Sequence, residues 1–133
     1  MEKNNPPVIL QGVATPNKGN GRKFGYPTAN IACPIDLEEG VFIGFTTIKF
    51  NEIKYDTMPS IIFIGSPETL NESGKRLETY ILDIPDEDLY GARVTVEMTD
   101  KLRDNKKFDS VEKLIAQMKQ DEIEARMYFT NND

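Results

Sequence analysis

Along the chain, apolar and polar residues first alternate with a strand-like period, and near residue 109 they switch to helical spacing. VILQGVA (8–14) reads as a first strand and TANIAC (28–33) as a short second one. GVFIGFTTIKF (40–50) is dense in β-branched and aromatic residues and is bounded by Gly40 and by the Asn51-Glu52 turn. IKYDTMPSIIFIG (53–65) returns from it, so the pair predicts a long hairpin. SPETLNESGKR (66–76) is rich in turn formers, LETYILDI (77–84) is a further strand, and PDEDLYG (85–91) is a turn. ARVTVEMTDKLR (92–103) alternates clearly, with Val94, Val96 and Met98 on one face and Thr95, Glu97 and Thr99 on the other.

From Val111 onward, Leu114, Ile115, Met118, Ala125 and Phe129 recur at helical intervals. Asp109 or Ser110 is the expected cap, with Glu112 close behind it. Glu122 interrupts the stripe, so the helix is expected to bend or fray there, or its apolar side to leave the core after Met118. Residues 1–7 are polar and end in Pro6-Pro7, which reads as a disordered or extended lead-in to one domain over 8–130. Strands followed by one helix predict a mainly β fold with a C-terminal α-helix packed on it. Closure into a barrel would remove exposed sheet edges, the helix then plugging or flanking it; a sandwich is the alternative.

Composition narrows the chemistry. The 133 residues suit one domain. Sixteen basic against 22 acidic residues give a net charge of −6, the wrong sign for a nucleic-acid binder. With one cysteine there is no internal disulfide, in keeping with a reducing compartment. The chain has no histidine, which removes Ser-His and Cys-His nucleophile pairs and most zinc sites. Acid–base work must then fall to carboxylates, Lys, Tyr or water. No apolar run reaches membrane length and MEKNN is no signal peptide, so the chain reads as soluble and cytoplasmic, without a membrane partner.

Four features carry candidate chemistry. Gly19 and Gly21, beside Lys18, Arg22 and Lys23, can form an anion-binding nest, although no Walker pattern follows and a plain surface loop fits as well. Thr28 and Asn30 lie two positions apart, so on an extended segment both point the same way as oxygen ligands suited to magnesium; a turn leading into an edge strand is the plainer reading. Glu78 shares a strand face with Tyr80, Leu82 and Ile84, and is either at a strand end reaching water or placed to accept a hydroxyl proton. Arg103, Lys106, Lys107 and Phe108 lie in the connector to the helix, where a guanidinium and a ring can stack on a flat heterocycle, or simply face solvent.

Taken jointly, the blocks G-x-G-R-x-x-G-x-P-T-A-N (19–30), G-V-F (40–42), I-G-S-P-x-T (64–69), L-E-x-Y-I-L-D (77–83), D-L-Y-G (88–91) and K-L-R-x-x-x-x-F-D-S (101–110) resemble the riboflavin kinase family. The resemblance covers about residues 8–128. It implies a six-stranded antiparallel Greek-key barrel that transfers the ATP γ-phosphoryl group to the 5′-hydroxyl of riboflavin, giving FMN and ADP. Carried over residue by residue, it implies Glu78 as the catalytic acceptor and Thr28 with Asn30 as holders of the metal–nucleotide. Gly19, Gly21 and Arg22 would cover the phosphates, Asp83 and Tyr90 would line the nucleotide side, and Arg103, Lys106 and Phe108 would close over the flavin. The metal expected is magnesium, with zinc or manganese as alternatives. Segments 15–25 and 101–109 would act as lids. A monomeric stand-alone kinase or an excised kinase module, without an FAD-forming unit, is the expected form. The competing readings are a catalytically inactive flavin-binding sensor and an unrelated barrel that binds oligonucleotides.

Overall fold

The computed structural model describes residues 7–15, 27–33, 37–65 and 75–131. The strands are β1 (Val8–Val13), β2 (Ala29–Cys33), β3 (Gly40–Lys49), β4 (Ile53–Gly65), β5 (Lys75–Ile81) and β6 (Arg93–Arg103), followed by helix α1 (Val111–Asn131). They form one six-stranded sheet in the order β1-β6-β3-β4-β5-β2, and each neighbouring pair is antiparallel. Strands β3, β4 and β5 follow one another as neighbours and β6 returns beside β3, which is the Greek-key order.

The two sheet edges meet where Thr15 bridges Asn30, the Thr15 amide donating to the Asn30 carbonyl at 2.9 Å. That contact curls the sheet into a nearly closed barrel rather than a sandwich, and it removes two edges that would otherwise be open to aggregation.

Period-two alternation sorts the side chains. Ile31, Phe42, Ile48, Ile62, Leu77 and Val96 fill the barrel interior. The alternation read from β6 holds, since Val94, Val96 and Met98 are all buried. Burying a side chain of this size contributes roughly 2 kcal/mol. Thr46 and Thr79 are interior too, and satisfy one another through a 2.8 Å hydroxyl contact.

Strand β3 is buried on both faces, which explains its unbroken apolar run. Phe42 and Ile48 point inward, while Val41 and Ile43 join Ile61, Leu82 and Ala125 in a second core beneath the helix. Phe45 meets the Phe129 ring edge-on at 5.5 Å. The helix therefore flanks the barrel and does not plug it. Gly44 lies where β3 shifts register against β6. A Cβ there would stand 1.9 Å from the Glu97 carbonyl oxygen, so only glycine permits this approach.

Two local expectations change, and the expected helix cap is met. Strand β5 ends at Ile81, three residues short of Ile84. The chain there turns through Asp83, whose φ is 64°, and the Leu82 amide donates to the Pro59 carbonyl. Helix α1 runs through Glu122 without a break, because Glu122 accepts from Arg126 one turn on at 2.9 Å. Its cap is Ser110, whose hydroxyl accepts from the Lys113 amide at 3.2 Å.

Candidate active site

Pairing of β2 with β5 sets Asn30 directly opposite Glu78, so both side chains project from the same sheet face. Thr28, just before β2, donates its hydroxyl to Glu78 Oε1 at 2.9 Å. Asn30 is 1 % exposed and brings a buried amide oxygen to the same spot. A hydroxyl, an amide and a carboxylate thus lie together on the sheet face opposite Ile31 and Leu77, which point into the barrel.

Glu78 and Thr28 stand in the wall of a cleft of about 320 Å³. Phe63, Phe108 and Met118 give it apolar walls, and Arg103 and Lys106 give it basic ones. Apolar and aromatic walls with a few convergent polar groups suit a flat heterocycle. A smaller cleft of about 180 Å³ lies beside Thr28, walled by Pro27, Tyr80, Ile84 and Leu89, with the carboxylates Asp86 and Glu87. Thr28 lines both clefts.

The electrostatics of the smaller cleft are set by neighbours. Burial, reinforced by the negative charge of Glu122, pushes the Tyr80 phenol up, so it stays neutral. Glu87 is held below the usual carboxylate range by hydrogen bonds from Tyr55 and Lys54, the latter at 3.1 Å.

The connector expected as a lid is tied to both the barrel and the helix. Residues 101–103 belong to β6, where Arg103 pairs with Val41. Asn105 donates to the Ile64 carbonyl at 3.0 Å. The Arg103 guanidinium is held by Asp121 of α1, Nε to Oδ1 at 2.7 Å and Nη2 to Oδ2 at 2.8 Å.

Of the residues singled out from sequence, the structure brings together Glu78, Thr28, Asn30, Arg103, Lys106 and Phe108. Asp83 lines neither cleft, because its carboxylate turns to Arg126 at 3.0 Å. Tyr90 is 60 % exposed, while its neighbour Leu89 lines the smaller cleft. Gly19, Gly21, Arg22 and most of the expected lid 15–25 lie outside the described residues. Sequence reasoning missed Asp121, which is 1 % exposed. The signal was present: position 121 lies on the stripe of Leu114, Met118, Ala125 and Phe129, where a charge demands a buried partner.

No cluster of three or more His, Cys, Asp or Glu side chains suited to a metal occurs among the described residues. The hard oxygens of Thr28 and Asn30 are of the kind that suits a divalent cation when phosphate and water complete its shell. Nor is any described helix long and apolar enough to cross a membrane.

A Greek-key barrel with adjoining clefts around one hydroxyl–carboxylate pair defines a compact class of ligand-binding barrel. The chain belongs to the riboflavin kinase (flavokinase) family, whose model matches residues 4–129. It is 33 % identical over 126 residues to the trifunctional protein RibF/MnmA of Mycoplasmoides gallisepticum, covering 92 % of this chain but 18 % of that protein. To human riboflavin kinase it is 29 % identical over 127 residues, covering 90 % of this chain and 79 % of that one. The solved riboflavin kinase of Trypanosoma brucei superposes with a TM-score of 0.72 at 24 % identity, covering 96 % of this chain and 83 % of that one, and shares the fold. The chain thus spans a small part of its multifunctional bacterial relative.

Proposed function

We propose that the protein transfers the γ-phosphoryl group of ATP to the 5′-hydroxyl of riboflavin, yielding FMN and ADP. The observation that carries this reading is the Thr28–Glu78 contact of 2.9 Å where the two clefts adjoin. The larger, aromatic cleft receives the flavin and the smaller one faces the nucleotide. Family membership supports the same assignment.

Phosphoryl transfer asks for alignment and charge neutralisation more than for covalent chemistry. Glu78 orients the ribityl hydroxyl and accepts its proton as the new P–O bond forms. Thr28 and Asn30 hold the divalent ion, which when bound neutralises phosphate oxygens; magnesium is the proposed ion, over zinc or manganese. The glycine-rich segment containing Gly19, Gly21 and Arg22 covers the phosphates. Phe108, Arg103 and Lys106 enclose the flavin and keep water, a competing acceptor, away from the phosphoryl group.

The test is direct. The protein is incubated with riboflavin, ATP and each metal in turn, and the flavins are separated chromatographically. FMN and ADP are expected in equal amounts with magnesium, and neither without a divalent ion. FMN absent under every metal, at any enzyme concentration, overturns the reading. Tight flavin binding without turnover would instead mark a sensor.

A further inference from the structure

The buried carboxylate on α1 has no role in the chemistry above. Asp121 is 1 % exposed and sits between Met118 and Ala125, where an apolar side chain would complete the stripe. Taking a carboxylate and a guanidinium out of water costs several kcal/mol per ion, roughly what their attraction returns, so the pair is a poor device for stability alone. The helix already has apolar contacts to the barrel through Ala125 and Phe129.

What the pair does is geometric. Asp121 accepts from Arg103 through both of its oxygens, at 2.7 and 2.8 Å. Arg103 Nη1 donates to the Asp104 carbonyl at 2.9 Å. Gln117 Nε2 donates to Asp121 Oδ1 at 3.0 Å, and Gln117 Oε1 accepts from Lys106 Nζ at 3.3 Å. Both basic residues of the larger cleft are therefore tied to one carboxylate, Arg103 directly and Lys106 through Gln117. With the N–H edge engaged by Asp121 and Asp104, the plane of the guanidinium is the surface left for stacking on an aromatic heterocycle.

We infer that Asp121 is a positioning residue for the flavin: it holds Arg103, and through Gln117 also Lys106, in the orientation that receives the ring. This rests on the flavin assignment proposed above. It also makes α1 part of the binding site without touching the ligand through Asp121 itself.

The test reads riboflavin affinity on the full chain without ATP, from quenching of flavin fluorescence, beside KM for riboflavin and for MgATP. Asp121→Asn keeps the shape and removes the charge. It is expected to weaken riboflavin binding about tenfold while KM for MgATP stays within about twofold. Asp121→Asn in an Arg103→Met background is expected to add a clearly smaller loss, because only the route through Gln117 and Lys106 remains. Should Asp121→Asn fold poorly, the pair Asp121→Leu with Arg103→Met removes both charges together. That variant is expected to fold stably and bind riboflavin within about twofold of Arg103→Met alone. Unchanged riboflavin affinity in Asp121→Asn, or an equal added loss in the Arg103→Met background, overturns the inference. A wild-type chain that binds no riboflavin overturns the flavin assignment and this inference together. Binding without FMN formation overturns the kinase reading alone.

Discussion

Thr28 and Glu78 are 50 residues apart in the chain, yet hydroxyl and carboxylate meet at 2.9 Å. The meeting is produced by the pairing of β2 with β5, which sets Asn30 opposite Glu78. A short strand ending the sheet order thus brings the oxygens of Thr28 and Asn30 to the carboxylate of Glu78.

Glu78→Gln separates proton acceptance from binding. The amide keeps the shape and can still accept the Thr28 hydroxyl, but it cannot take a proton at neutral pH. Turnover is expected to fall about 10²-fold or more, with riboflavin affinity unchanged. A rate near that of the parent would remove Glu78 from its assigned part.

Gly44→Ala tests the close approach of β3 to β6. The new methyl would sit 1.9 Å from the Glu97 carbonyl oxygen, a backbone atom that cannot swing aside. Denaturant unfolding is expected to show a loss of about 3 kcal/mol. A midpoint indistinguishable from the parent would contradict the described strand packing.

The interior hydroxyl pair gives a cycle with a sign reversal. Thr46 is fully buried and bonds Thr79 at 2.8 Å. Thr46→Val alone strands the Thr79 hydroxyl and is expected to cost about 1–2 kcal/mol. Thr46→Val with Thr79→Val removes both polar groups and is expected to recover most of that loss. Simple additivity in the measured unfolding energies would refute the pairing.

Acid should loosen the tie between the end of β5 and the helix. Arg126 holds the Asp83 carboxyl below its ordinary value of 3.8, with partial burial working weakly against it. A depressed folded-state value means the stabilisation is present above pH 3.8 and fades as pH falls through the lower folded value. Asp83→Asn tests it cleanly, since asparagine also tolerates the φ of 64° at that position. The pair is solvent-screened, so the parent should exceed the variant by about 0.5 kcal/mol near neutrality. The two unfolding curves should converge in acid, and a gap that persists there would count against the ion pair.

Much of this architecture was readable from alternation, and the exceptions have physical causes. Residues 40–65 announce a hairpin because β-branched and aromatic residues flank a turn, and Val94, Val96 and Met98 announce the inner face of β6. The end of β5 was misplaced because Leu82 and Ile84 continue the apolar pattern. Leu82 does so to meet the helix and Ile84 to pack on the barrel core, and neither is in a strand. Barrel closure rests on the Thr15–Asn30 bridge, a long-range contact that no local pattern encodes. Within the candidate site, Thr28, Asn30, Glu78, Arg103, Lys106 and Phe108 were visible as types at suggestive spacing. Gln117 and Asn105 were not, because each acts on a partner supplied by another segment, Lys106 and Ile64, while Asp121 was passed over although it lies on the helical stripe.

The helix roofs the outer surface of β3 and β4, where Val41, Ile43 and Ile61 are almost wholly covered. During synthesis those strands leave the ribosome long before α1 does. Until then the nascent barrel carries a greasy flank and an unfinished cleft, since Leu114 and Met118 also come from α1. Shielding of that flank and completion of the cleft thus arrive together, so a truncated chain ending before Val111 should be both sticky and inert.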